Sequence, residues 1–132
     1  MGDLAARNIE LVRDGYEAFG RGDLETVQRL FAPDAVWRVQ RLGLLSGDHE
    51  GWPAVAAFFV ETMQLTAGTF RVTPIDIMAS ETRVAVYARS TASRDGRSLD
   101  DLQIHLFTLE GEVVAEVRQF VGDADATQEF WS

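Results

Sequence analysis

The hydrophobic period of this chain changes once, near residue 69, and that change limits the folds open to it. Before it, apolar residues recur at helical spacing; after it, they alternate as half-buried strands require. Residues 4–20 place Ile9, Val12, Tyr16 and Phe19 on one face, and Gly20-Arg21-Gly22 breaks the run. Asp23 suits the N-cap of a second helix over residues 24–31, with Leu24, Val27, Leu30 and Phe31 on its buried side. Pro33-Asp34 ends that helix, residues 35–39 read as a short strand, and residues 40–50 lack a period and read as a loop. Pro53 fits the first turn of a third helix to about residue 66, with Val55, Phe58, Phe59 and Met63 inward.

Four strand-like runs follow, over residues 69–79, 82–93, 98–109 and 112–121. Ser80-Glu81, Arg94-Asp95-Gly96-Arg97 and Glu110-Gly111 separate them, all at hairpin length. Pro74 marks a bend or bulge in the first run. Helices followed by a strand meander define an α+β fold, with the helices packed on one face of a mostly antiparallel sheet. Neither a repeat nor a linker interrupts the chain, so residues 1–132 read as one domain. Phe130-Trp131 at the end reads as a packing clip or a frayed end rather than a lid.

Composition removes several chemistries. A chain of 132 residues buries roughly two-thirds of its unfolded surface, enough for a core without disulfides or a metal. At 46% hydrophobic residues it is not expected to be disordered. No apolar run approaches the roughly 18 residues of a membrane helix, and the N-terminus lacks a basic-then-apolar leader pattern, so a cytoplasmic protein with no membrane partner is expected. The absence of cysteine excludes thiol nucleophiles and thiolate metal sites. All 12 basic residues are arginine, which excludes lysine Schiff-base chemistry and the usual attachment of pyridoxal phosphate. The two histidines, His49 and His105, are not spaced as metal ligands, so neither a metal nor another cofactor is expected. A net charge of −9 disfavours nucleic acid as a partner and reads most simply as solubility.

Specific segments carry a resemblance. They are Tyr16-Glu17-Ala18-Phe19 with Gly22-Asp23-Leu24, then Leu30-Phe31-Ala32-Pro33-Asp34-Ala35-Val36-Trp37, then Gly51 before an apolar helix. His105-Leu106-Phe107-Thr108-Leu109, the Gly111 turn and the run from Val113 to Phe120 complete the set. In order and spacing, over nearly the whole chain, these resemble the SnoaL-like branch of the ketosteroid-isomerase and nuclear-transport-factor-2-like superfamily. The resemblance implies a cone-shaped, cystatin-like roll in which three N-terminal helices close over a curved sheet and enclose one small-molecule pocket. Isomerases, polyketide cyclases, epoxide hydrolases, dehydratases and non-catalytic binders share that scaffold, so the fold does not choose among them.

The steroid isomerase uses a carboxylate base with an oxyanion hole made of a tyrosine and a protonated aspartate. Matching Gly22-Asp23 to the family's Gly-Asp puts Gly15 at the tyrosine's place, Val39 at the base's and His105 at the aspartate's, which excludes that mechanism. The related cyclases often carry an aspartate just after the last strand's aromatic residue. Here Val121 stands there, with Asp123 the nearest acid.

The last hairpin concentrates the remaining chemistry. With Glu110-Gly111 as a two-residue turn, Leu109 faces Glu112, Phe107 faces Val114, His105 faces Glu116, Gln103 faces Arg118 and Asp101 faces Phe120. Alternation puts these on one face, and Leu102, Ile104, Leu106, Val113, Ala115 and Val117 on the other. Two readings are open. In the first, the apolar face covers the core and the mixed face is a solvated strip; a one-residue register error exchanges the two. In the second, which the resemblance implies, His105, Phe107, Glu116, Arg118 and Phe120 line the cone's interior and a second subunit covers the apolar face, giving a homodimer. Phe107, Leu109, Val114 and Phe120 favour burial of the mixed face.

On the interior reading Glu116 fixes the tautomer of His105 and stabilises its protonated form, leaving the other ring nitrogen to exchange a proton with a ligand. Arg118, oriented by Asp101 or Gln103, holds a carboxylate or a developing oxyanion. The competing account is that these charges neutralise one another and His105 completes a buried network. Ligand contacts are expected from Tyr16, from Trp37 and Val39, from Phe58, Phe59 and Met63, from Trp52 at the mouth, and from Gln103, Phe107, Val114 and Phe120. Together these features suggest an acid–base enzyme of isomerase, cyclase or hydrolase type, acting on a hydrophobic oxygenated molecule such as a polyketide or terpenoid. A binding protein with the same pocket, or a dimeric module whose pocket is filled, are the alternatives.

Overall fold

A computed structural model describes residues 2–132. The first helix, α1 (Gly2–Gly20), buries Val12 and Ala18 and packs Tyr16 and Phe19 against the core. Buried Asn8 ties it to the sheet, its Nδ2 donating to the carbonyls of Ser80 and Glu81 at 3.1 and 3.0 Å. Gly22, at a φ of 74°, reverses the chain. Asp23 then caps α2 (Leu24–Leu30) by accepting from the Thr26 N–H at 3.1 Å. This helix stops one residue before its expected end, because Phe31 is already extended and opens β1 (Phe31–Val39). Pro33 and Asp34 lie inside that strand, where its pairing shifts register between Phe31 and Val36. A proline has no N–H for the ladder and is tolerated at such an irregularity.

Residues 40–50 hold more structure than a loop. A 3-10 turn, Gly43–Leu45, leads into β2 (Gly47–Glu50), which pairs antiparallel with β1 as an edge strand. Gly-Asp-His-Glu has no strand propensity of its own, and the pairing makes it a strand. The third helix, α3 (Trp52–Leu65), carries Pro53 in its first turn and buries Val55, Phe58, Phe59 and Thr62.

The meander comprises β3 (Arg71–Ala79), β4 (Arg83–Arg94), β5 (Arg97–Glu110) and β6 (Val113–Phe120). The sheet order is β2-β1-β6-β5-β4-β3, antiparallel except where β6 returns parallel beside β1. Beyond β6, Asp123 caps α4 (Ala124–Phe130), which folds the end of the chain back and buries Phe130 and Trp131. The core lies between the helices and the inner face of the curved sheet.

The β5–β6 hairpin decides what faces that core. Its turn is Gly111-Glu112, with Glu110 opposite Val113 and Leu109 opposite Val114. The ladder then shifts: Thr108 faces Glu116, Phe107 faces Val117 and His105 faces Gln119, leaving Ala115 as an extra residue in β6. This bulge moves every later residue of β6 to the face opposite the one simple alternation predicts. His105 therefore does not face Glu116, and Gln103 does not face Arg118.

Candidate functional site

The inward face of β5 carries Asp101, Gln103, His105, Phe107 and Leu109, all buried. The apolar members fit a core strand, whereas Asp101, Gln103 and His105 need partners to be buried at tolerable cost. Asp101 accepts from the backbone N–H groups of Gly122 and Asp123 at 3.0 and 2.9 Å and from Gln103 Nε2 at 3.0 Å. A carboxylate only accepts, so the Gln103 amide must turn its NH2 toward Asp101 and its oxygen toward His105. Gln103 Oε1 then takes the His105 Nε2–H at 3.0 Å and the Gln119 Nε2–H at 2.9 Å. The Ser90 hydroxyl approaches the same oxygen at 3.3 Å.

This assigns the tautomer of His105. With the proton on Nε2, Nδ1 is an acceptor, and the Tyr16 hydroxyl donates to it at 2.6 Å. The two ring planes are parallel to within 6°, with centroids 6.0 Å apart. Gln119 is oriented in turn by Trp37, whose indole N–H donates to Gln119 Oε1 at 2.9 Å. One acid behind the wall thus sets the direction of a chain running Tyr16, His105, Gln103, Asp101. Both ionisable groups in front are neutral at pH 7. Burial lowers the His105 pKa to about 4 and raises that of Tyr16 well above its usual 10.

These polar groups form one side of an otherwise apolar cavity of about 80 Å3. Phe58, Phe59 and Thr62 close it from α3, Phe19 from α1 and Leu45 from the 3-10 turn, while Trp131 closes it from the end of the chain. Of the residues expected around a pocket, Tyr16, Trp37, Phe58, Phe59, Gln103, His105 and Phe107 line it. Asp101 sits one layer behind, out of contact with the cavity.

Several expected residues lie elsewhere. Glu116, Arg118 and Phe120 are on the outer face of the sheet, displaced by the bulge. Glu116 accepts from Arg38 Nε at 2.7 Å and lies 3.4 Å from Arg118. The Arg38 hydrogen bond is the main reason its carboxyl stays below the usual range, and Arg38 also pairs with Asp48 at 2.7 Å. Phe120 is 52% exposed, while Val117, expected outside, is fully buried. Met63 is half-buried outside the cavity, because the inward stripe of α3 passes through Thr62 instead. Val39 and Val114 are buried without lining the cavity, and Trp52 packs on Phe31 at 5.5 Å. His49 stacks on Phe58 at 4.5 Å and donates its Nε2–H to the Leu45 carbonyl, bracing the wall from behind.

Gln119 and Trp131 are among the lining residues that the sequence reading misses. A polar Gln between the apolar ends of a strand is a signal for Gln119, but only with the bulge located. For Trp131 the signal was a large aromatic pair after an acidic stretch. Among the described residues, no cluster of three or more His, Asp and Glu is arranged to hold a metal.

The comparisons with known proteins agree with this architecture. A family model for the SnoaL-like domain matches residues 12–117, and the chain belongs to the SnoaL-like family. An uncharacterized protein of Mycobacterium tuberculosis is 35% identical over 127 residues, covering 95% of this chain and 96% of its own. Bal32a, from a soil-derived mobile gene cassette, is 35% identical, with a TM-score of 0.94 over 98% of this chain and 99% of Bal32a. A Xanthomonas campestris protein of unknown function with a cystatin-like fold is 27% identical, with a TM-score of 0.88 over 95% of this chain and 98% of that one. No helix among the described residues is long and apolar enough to cross a membrane.

Proposed function

We propose that the cavity binds a small, largely apolar molecule bearing oxygen, of single-ring terpenoid or polyketide-fragment size. The observation that carries this reading is a wall of neutral hydrogen-bonding groups, Tyr16, His105, Gln103 and Gln119, set into one side of an apolar cavity. Such a wall gives the cavity a polar side without a net charge, which suits an uncharged ligand. The volume of about 80 Å3 is well below the roughly 300–1,000 Å3 of sites for drug-sized ligands, which favours one ring or a short chain over a fused polycycle. Thermal unfolding in the presence of cyclohexanone, phenol and anthraquinone tests this. The first two should raise the unfolding temperature and the third should not. No shift with any of them rejects the reading.

A second reading keeps the catalytic idea but changes its residues. The 2.6 Å contact between Tyr16 and His105 supports these two as the proton-handling pair, in place of His105 with Glu116 and Arg118. A ligand carbonyl could then take the Tyr16 proton donor in exchange for Nδ1, as an isomerase, cyclase or hydrolase would use it. The low pKa of His105 favours the binding role, since a general base works best when its pKa lies near the working pH. The outer sheet face, with Leu102 46% exposed and Phe120 52% exposed, supports a homodimer built through it.

A further inference from the structure

Trp131 is 1% exposed and lines the cavity, yet its indole N–H has no hydrogen-bond acceptor among the described residues. The backbone around it is nevertheless held from several directions. Its carbonyl accepts from the Leu44 N–H at 2.9 Å. Arg94 donates to the carbonyls of Phe130 and Ser132 at 2.9 and 2.7 Å, and Arg97 to that of Glu129 at 2.6 Å. Gly43 stands at a φ of 54° with its missing side chain facing the same backbone, where a Cβ would come within 2.3 Å of the Trp131 carbonyl carbon. The fold therefore fixes the backbone that carries this indole, and Phe70 and Phe130 pack on the ring, with centroids at 6.2 and 4.9 Å, while its single polar atom has no partner among the described residues.

An unmade hydrogen bond on a buried donor costs about 1–3 kcal/mol, and most buried N–H groups avoid it. A ligand oxygen in the cavity would recover that loss. The polar groups of the β5 wall, by contrast, already bond to one another.

We infer that the Trp131 N–H is the anchoring donor of the site and selects ligands with a hydrogen-bond acceptor, a ketone or similar carbonyl oxygen, at the Trp131 end. This rests on the proposed small-molecule reading and adds its polarity. α4 thereby becomes part of the binding site.

Cyclohexanone and methylenecyclohexane, which share a shape and differ in the acceptor, test the inference on the full chain. Their affinity ratio is measured in the wild type and in Trp131→Phe, so the ketone's stronger hydration cancels. The ketone's relative affinity should fall about fivefold to tenfold in the variant. In 15N-labelled wild type, which has three tryptophans, the ketone should move the Trp131 indole proton downfield and the hydrocarbon should not. If both probes bind but the ratio is unchanged and the indole proton stays still, Trp131 is not the anchor, although the small-molecule reading stands. If neither probe binds the wild type, both readings fail. Should Trp131→Phe not fold, the wild-type indole shift alone decides.

Discussion

Asp101 never touches the cavity, yet it sets the chemistry of the groups that do. Its three N–H donors leave Gln103 one orientation, which leaves His105 one tautomer, which makes Tyr16 a donor toward Nδ1. The imidazole is thereby buried neutral, with its pKa near 4 because desolvation penalises the charged ring. Between pH 6.5 and about 4 the unfolded chain holds a proton on His105 that the folded chain refuses. Acidification through that window must favour unfolding. The contribution is fully present above pH 6.5, and about 3 kcal/mol of it should be gone at pH 4. Urea unfolding of wild type and His105→Asn from pH 4 to 7.5 should show a steeper acid loss in the wild type. Parallel curves would mean that His105 is not shielded as the structure has it.

At the scale of the element, the decisive feature is one extra residue, Ala115. The inward face of β5 was legible from the sequence because Phe107 and Leu109 alternate with the polar wall and cannot be left in water. The face of β6 was not, since a bulge adds a residue without changing the type of residue around it, and both registers present plausible apolar stripes. Val117 and Glu116 therefore exchanged places with expectation. The tail was half legible: Phe130-Trp131 reads as packing, but its seat depends on Gly43, Arg94 and Arg97, which only the tertiary fold brings there. The face assignment has a direct test by urea unfolding. Val117→Ala should lose about 2–3 kcal/mol, as a truncation in a close-packed core does. Glu116→Gln should change stability little, because its partners Arg38 and Arg118 are a third and a half exposed. The opposite ranking would restore the unbulged register.

For the whole molecule, the same bulge alters the outer surface. It removes Val117 from the patch predicted to meet a second subunit and adds Phe120, opposite Ile104. Ile104 pairs onward with Tyr87, and Leu106 with Ala85, which meets Met78 on β3, so the apolar surface is continuous across four strands. Leu102, Met78 and Phe120 are 46%, 52% and 52% exposed, which is unusual for three large apolar side chains on one face of a monomer. Charged pairs flank them, with Arg89 gripping Asp100 through two bonds at 2.8 and 2.6 Å and Arg38 bonded to Glu116. An apolar centre inside a rim of paired charges is what a self-complementary two-fold interface needs. Sedimentation equilibrium should accordingly give twice the chain mass of 14.7 kDa. Leu102→Asp combined with Phe120→Asp should give a folded monomer with an unaltered cavity, because both side chains lie across the sheet from His105. A wild-type protein that stays at 14.7 kDa as its concentration rises would remove the dimer and leave the interior site untouched, since the face of β5 is set by its burial and not by a partner.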